Sequence, residues 1–199
     1  MARAIEITFD YRCPFARNAN EAVVNAIRDG ALPDVTWRFR PFSLDQSHAE
    51  EGEAPVWERE PDAWGGGTLS LLYGIAVRDV FPESFLDAHL ALFAVRHDHG
   101  LHLEDEAVLR EAVAAVGLDA DAVATEAWSG RPLKTLATEH VEAVERWHAF
   151  GVPTFLTEHD GDAAFVRLME RGHVDDLARS IELLEWHRFN EFKRPRIPR

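Results

Sequence analysis

The chain has 199 residues, 46% of them hydrophobic and 28% charged, with a formal net charge of −14. That length suits one large domain or two small ones, and the apolar content excludes a disordered chain. The apolar runs are too short for a bilayer-spanning helix, and the acidic balance argues against nucleic acid or an anionic membrane as partner.

Ile5 to Asp10 alternates, with Ile5, Ile7 and Phe9 on one face, and predicts a strand. Met1 leads into it without the basic and apolar regions of a signal peptide, so the expected compartment is cytoplasmic. Pro14 to Arg28 predicts a helix that stops at Gly30. Val35 to Phe42 predicts a second strand, parallel to the first because a crossover helix joins them. Gln46 to Trp64 is polar and acidic and carries Pro55 and Pro61, which predicts a long surface loop with some local helix.

Five helices follow with no strand between them. They are predicted over Thr68 to Phe81, Pro82 to His97, Glu104 to Val116, Asp119 to Trp128 and Pro132 to His148. Strand signals return at Pro153 to Thr157 and Ala163 to Leu168, with a hairpin turn expected at His159-Asp160-Gly161-Asp162. His173 to Arg188 predicts a last helix with Leu177, Ile181 and Leu184 on one stripe. The basic tail from Lys193 to Arg199 reads as packed or free in solvent, not as a nucleic-acid arm. The order is βαβ, a helical block, then ββα.

Two places carry chemistry. The first is Asp10-Tyr11-Arg12-Cys13-Pro14-Phe15-Ala16. Cys13 is the one cysteine, so no internal disulfide and no cysteine-based zinc site can form. It follows a strand and precedes Pro14 at the first helical position. Free N–H groups and the positive dipole end at such a place favour a thiolate, the nucleophilic form. Arg12 and Arg17 are expected to add positive field. Tyr11 and Phe15 flank the thiol and are read either as pocket lining or as simple packing. The second place is Gly151-Val152-Pro153-Thr154, directly before a strand, where a cis Val152–Pro153 bond is expected.

His97, His99 and His102 do not share a helix face, and no metal site is expected there. Trp64-Gly65-Gly66-Gly67 lacks the Lys-Ser/Thr of a phosphate loop and reads as a flexible entry to the next helix.

Taken together, these motifs resemble the DsbA superfamily of thioredoxin-fold proteins: strand, Cys-Pro helix start, helical insertion, cis-Pro loop and hairpin. Ala63-Trp64-Gly65, Arg96-His97 with Gly100, and Phe192-Lys193-Arg194 resemble the cytoplasmic actinobacterial branch that includes the mycothiol-dependent nitroreductase. The resemblance implies an α/β thioredoxin-like fold, with residues 1–44 and 151–199 as the thioredoxin-like domain and 45–150 as a helical insertion covering the Cys13 face. It implies Cys13 as catalytic residue, with Val152, Pro153, Thr154 and Tyr11 as substrate-binding groups.

One departure shapes the expected chemistry. The second cysteine of the family motif is Ala16 here, so the motif reads Cys13-Pro14-Phe15-Ala16. Dithiol cycling is therefore excluded in this chain, and a free thiol must resolve any mixed disulfide on Cys13. The expected function is a monothiol oxidoreductase, with no tightly bound cofactor and a low-molecular-weight thiol, mycothiol or glutathione, as co-substrate. Its substrate would be a small disulfide or electrophile, with no nucleic acid or membrane partner and a homodimer left open. The alternatives are a thiol-dependent enzyme like the kappa-class glutathione transferases and hydroxychromene-carboxylate isomerases, or a redox-inactive binding module.

Overall fold

A four-stranded sheet in the order β2-β1-β3-β4 organises the chain. The computed structural model describes residues 3–158 and 162–191. β1 (Arg3–Phe9) pairs in parallel with β2 (Val35–Pro41) and antiparallel with β3 (Thr154–Thr157), which pairs antiparallel with β4 (Ala163–Phe165). β1 is central, and its last three residues, Ile7, Thr8 and Phe9, are all buried. α1 (Pro14–Asp29) connects β1 to β2, opening on Pro14 and closing on Gly30 at φ 65°. Proline's fixed φ and missing N–H suit the first turn, and glycine bears the left-handed conformation at no steric cost. Its small buried face of Ala16, Ala19, Ala22, Val23 and Ala26 lets the helix lie close on the sheet.

The helical segment begins with the short α2 (Leu44–Ser47), followed by 3₁₀ turns at Val56–Glu58 and Pro61–Ala63. The stretch expected as a surface loop is therefore partly ordered; Gln46 Oε1 accepts the Val56 N–H at 2.8 Å and Trp64 donates to the Arg59 carbonyl. Then come α3 (Thr68–Val80), α4 (Phe85–His97), α5 (Glu106–Ala115), α6 (Ala120–Ala127) and α7 (Arg131–Trp147). α3 is buried at every position from Thr68 to Val77, as a helix ringed by α4, α5, α6 and α7 must be. α8 (Val174–Leu184) rests on α1 with Leu177 and Ile181 buried. Among the described residues no helix is long and apolar enough to cross a membrane.

Two elements are shorter than the sequence predicts. β4 stops at Phe165, three residues before Leu168, because its partner β3 begins at Thr154 and the preceding Pro153 has no N–H for the ladder; farther on, the Leu168 and Met169 carbonyls accept from Asn18 on α1. α8 stops at Leu184; Glu185 pairs with Arg3, and Trp186 turns to stack on Phe189. The predicted turn residues His159 to Gly161 and the tail from Phe192 onward lie outside the described residues.

Two buried histidines tie the block to the sheet. His89 on α4 is fully buried amid Phe9, Tyr11, Phe39, Phe85 and Phe93. Its Nε2 lies 3.1 Å from Asn20 Oδ1, which can only accept, so Nδ1 is bare and accepts from the Tyr11 hydroxyl at 2.9 Å. His140 on α7 accepts the Ser43 N–H through Nδ1 at 3.1 Å. Burial pushes His89 down to about 3 and His140 down to about 4, from an ordinary 6.5. Both are neutral in the folded protein, and both gain a proton near pH 6.5 on unfolding.

The unfolded state thus binds more protons between pH 6.5 and about 4, and stability is lost as pH falls through that window. Each histidine contributes a slope approaching about 1.4 kcal/mol per pH unit. Asp10, raised by its burial, opposes them at the acid end. Urea unfolding between pH 7 and 4.5 is expected to show the acid loss. His140→Gln is expected to flatten its slope by about one proton; an unchanged slope would show that His140 does not titrate this way.

Candidate active site

Asp10 follows β1 and is fully buried. Oδ1 accepts the Arg12 N–H at 2.8 Å, Oδ2 accepts the Leu44 N–H at 2.9 Å, and the Asp10 carbonyl accepts the Cys13 N–H at 3.0 Å. This Asx-type turn delivers Cys13 to the N-cap of α1, with φ −89° and ψ 119°. There the sulfur takes the place of a Ser or Thr oxygen and accepts the Ala16 N–H at 3.4 Å. Its own S–H points to the Val152 carbonyl, also at 3.4 Å.

The Val152–Pro153 peptide is cis. Thr8 holds that loop: Thr8 Oγ1 accepts the Thr154 N–H at 2.7 Å, and Thr154 Oγ1 donates to the Gly151 carbonyl at 2.7 Å. Cys13 is half-buried, whereas Val152, Pro153 and Thr154 are buried and Pro14 is exposed. The structure thus joins Cys13, Val152 and Pro153 at one place. Ala16 packs in the core directly beneath, and Thr154 shapes the loop from inside.

Two expectations need correction. Tyr11 does not line the site. It is fully buried, its ring meeting Phe9 and Phe93 and its hydroxyl committed to His89. Nor do Arg12 and Arg17 serve as free positive field at the thiol. Arg12 Nη1 pairs with Asp45 at 2.7 Å and its Nε faces Asp10 at 3.6 Å, while Arg17 pairs with Asp98.

The electrostatic balance at Cys13 also differs from the sequence expectation. Burial pushes the thiol above its ordinary range, and the Asp10 charge adds to that. The N–H groups of Ala16 and Phe15 pull down, as a helix start should, and so does Arg167. Desolvation outweighs them, so the resting group is a neutral thiol.

The helical block reaches this loop through Tyr11 and Arg12. His97 Nε2–H donates to the Tyr11 carbonyl at 2.9 Å, so that ring serves the loop. Among the described residues no group of three His, Cys, Asp or Glu is placed to hold a metal ion. The glycine run at the start of α3 is a packing surface more than a flexible entry. A Cβ on Gly65 would lie 2.1 Å from Asp45 Oδ1, and one on Gly67 would lie 2.8 Å from Arg12 Nε. Asp45 in turn accepts the Thr68 hydroxyl at 2.9 Å. Gly74 on α3 has the same meaning, because its Cβ would meet the Tyr11 hydroxyl at 2.3 Å.

Sequence reasoning missed Thr8, His89 and Arg167. Thr8 was visible as a polar residue between Ile7 and Phe9 of a central strand. His89 was visible midway between Phe85 and Phe93 on one helical stripe. Arg167 carries no motif; it is found only by its rings. Its guanidinium lies 5.2 Å from the Phe15 ring centre and 5.3 Å from that of Phe165.

No family model and no curated protein matches the chain. Solved structures do. A thioredoxin-like oxidoreductase from Silicibacter pomeroyi is 16% identical, with a TM-score of 0.60 over 92% of this chain and 87% of that one. DsbA from Pseudomonas aeruginosa is 16% identical, with a TM-score of 0.64 over 94% and 84%. The oxidoreductase DsbA from Xylella fastidiosa is 15% identical, with a TM-score of 0.61 over 94% and 86%. At such identities the likeness speaks for architecture, and it establishes that this chain has the mixed α/β, thioredoxin-like fold of the DsbA structures.

Proposed function

We propose that the protein is a monothiol thiol-disulfide oxidoreductase working through Cys13 with a low-molecular-weight thiol, mycothiol or glutathione, as co-substrate. One observation carries the reading. The half-exposed Cys13 sulfur lies 3.4 Å from both the Ala16 N–H and the Val152 carbonyl, and position 16 offers a methyl group where a resolving thiol would sit. In the first step the Cys13 thiolate attacks a disulfide R–S–S–R, forming Cys13–S–S–R and releasing R–S⁻. In the second, a free thiolate R′–S⁻ attacks the R sulfur, giving R–S–S–R′ and restoring the Cys13 thiolate. Each step breaks one S–S bond and forms one, with no outside oxidant.

The raised thiol shapes the kinetics. Each unit of pKa costs about tenfold in thiolate fraction and returns about threefold in nucleophilicity, for a Brønsted slope near 0.4–0.5. The same rise makes Cys13 a poor leaving group, so the mixed disulfide should persist. Mass measurement after treatment with a small disulfide is expected to show one adduct on wild type and none on Cys13→Ser. Alkylation of Cys13 should climb about tenfold per pH unit from pH 7 and still be climbing at pH 9, since the thiol sits above its ordinary value. A plateau below pH 8 would contradict this electrostatic account.

The neutral thiol also favours a second reading, in which a bound small thiol does the nucleophilic work and Cys13 and Val152 only position it. This is the mode expected of the kappa-transferase and isomerase type. Thiol-dependent turnover of an electrophile that survives Cys13→Ser would select it.

The missing resolving group gives a third test. Ala16 lies in the first turn of α1, three residues from Cys13, and its N–H already faces the sulfur. Ala16→Cys is expected to lose both free thiols on mild oxidation, at a stability cost of about 1–3 kcal/mol for the extra buried volume. Wild type should keep its single thiol or carry an adduct. A variant that keeps two free thiols under conditions that oxidise other dithiols would show that this helix start does not support exchange.

A further inference from the structure

Beside the sulfur lies a rim of aromatic rings. Phe15 follows Cys13 by two positions, and Phe165 on β4 is the register partner of Thr154, next to Pro153. Phe150, 71% exposed, meets Phe165 with ring centres 5.1 Å apart. Arg167 lies over Phe15 and Phe165 together and is itself exposed. Two faces on one guanidinium restrict its rotamers and hold its charge in place without using its hydrogen bonds.

That charge is unspent. Arg12, Arg17, Arg40, Arg78, Arg131 and Arg171 each hold a carboxylate within 4 Å, as is usual in a chain of net charge −14. Arg167 has neither an ion pair nor a hydrogen bond among the described residues. Its field reaches the Cys13 sulfur. A planar guanidinium with free donors takes oxyanions, and carboxylates best in a two-pronged fit. In a protein otherwise repelling anions, one fixed cation at the rim of the thiol sorts small molecules by charge.

We propose that Arg167 is a specificity-determining residue that binds a carboxylate of the small thiol or disulfide exchanged by Cys13. The substrate class is then carboxylate-bearing thiols and their disulfides. This rests on the exchange reading of Cys13, and it separates the two small thiols named above, since glutathione carries carboxylates and mycothiol none. The apolar rim would cover the carbon chain between sulfur and carboxylate, and Arg167 would fix its far end.

The test uses three disulfides of similar size: dithiodipropionate, a dianion; hydroxyethyl disulfide, neutral; and cystamine, a dication. Rates of adduct formation on Cys13 are read by mass at low salt and normalised to 2-mercaptoethanol as a free thiol. The readout is the ratio of anionic to cationic rates. A ratio taken at one pH cancels the thiolate fraction, so any effect of Arg167 on thiol ionisation drops out. Arg167→Gln is expected to lower the ratio by about fivefold, Arg167→Glu to lower it by about as much again, and high salt to shrink both effects. Adducts that form with the same ratio in wild type and both variants would overturn the Arg167 proposal and leave exchange standing. Absence of adduct with all three disulfides, in a protein whose urea-unfolded thiol reacts normally, would overturn the exchange reading and the Arg167 proposal with it.

Discussion

Asp10 fixes where the parts of this molecule meet. Its carboxylate is fully buried, which would be costly without partners, and it gains the N–H groups of Arg12 and Leu44 together with a nearby guanidinium. Those partners belong to the Cys13 loop and to the start of α2. One side chain therefore sets the path of the chain into α1 and the path from β2 into the helical segment. Asp45 repeats the pattern one step outward, holding Arg12 on one side and the start of α3 on the other. The thiol's position follows from a charge network that never touches the thiol.

The same network limits the thiol's reactivity. A helix N-terminus should favour a thiolate, and the Ala16 and Phe15 N–H groups act in that direction. Yet Asp10 brings negative charge close, and the nearby arginines spend theirs on Asp45 and Asp98. Burial then decides the sign. Motif position alone predicts an acidic thiol; the depth of the loop, with the Asp10 carboxylate beside it, reverses that. Any further favour to the thiolate must come from the rim, where Arg167 sits, or from the bound substrate.

What could be read in the sequence follows from locality. Pro14 and Gly30 bracket α1 by their own backbone preferences, and the alternation of Ile5, Ile7 and Phe9 reports a strand buried against helices. The meeting of Cys13 with Val152 and Pro153 was legible because both motifs adjoin strands of one sheet. What failed was decided by distant partners. Arg12 and Arg17 find carboxylates from other elements, Tyr11 turns inward toward a histidine on α4, and the chain beyond β4 gives its Leu168 and Met169 carbonyls to Asn18 on α1. Such pairings carry no local periodicity, so composition and spacing could not foretell them.

The helical block grips the active loop by its backbone and its neighbours: His97 on the Tyr11 carbonyl, Gly74 under the Tyr11 hydroxyl, Gly67 against Arg12. These contacts brace the residues just before Cys13. The sulfur's own hydrogen bonds go instead to α1 and to the Val152 carbonyl, and the cation that favours its thiolate, Arg167, comes from the segment after β4. Bracing and recognition are thus divided between two parts of the chain. The block sets the geometry in which the thiol is presented, while in the proposed exchange a substrate would meet Phe150, Phe165 and Arg167 at the mouth of the Val152–Pro153 loop. Changes in the glycine contacts of α3 should therefore act through the loop's shape, on every substrate alike. Under the proposed exchange, changes along the Phe165–Arg167 rim should act on choice among substrates, because Arg167 is exposed there with its charge unpaired among the described residues.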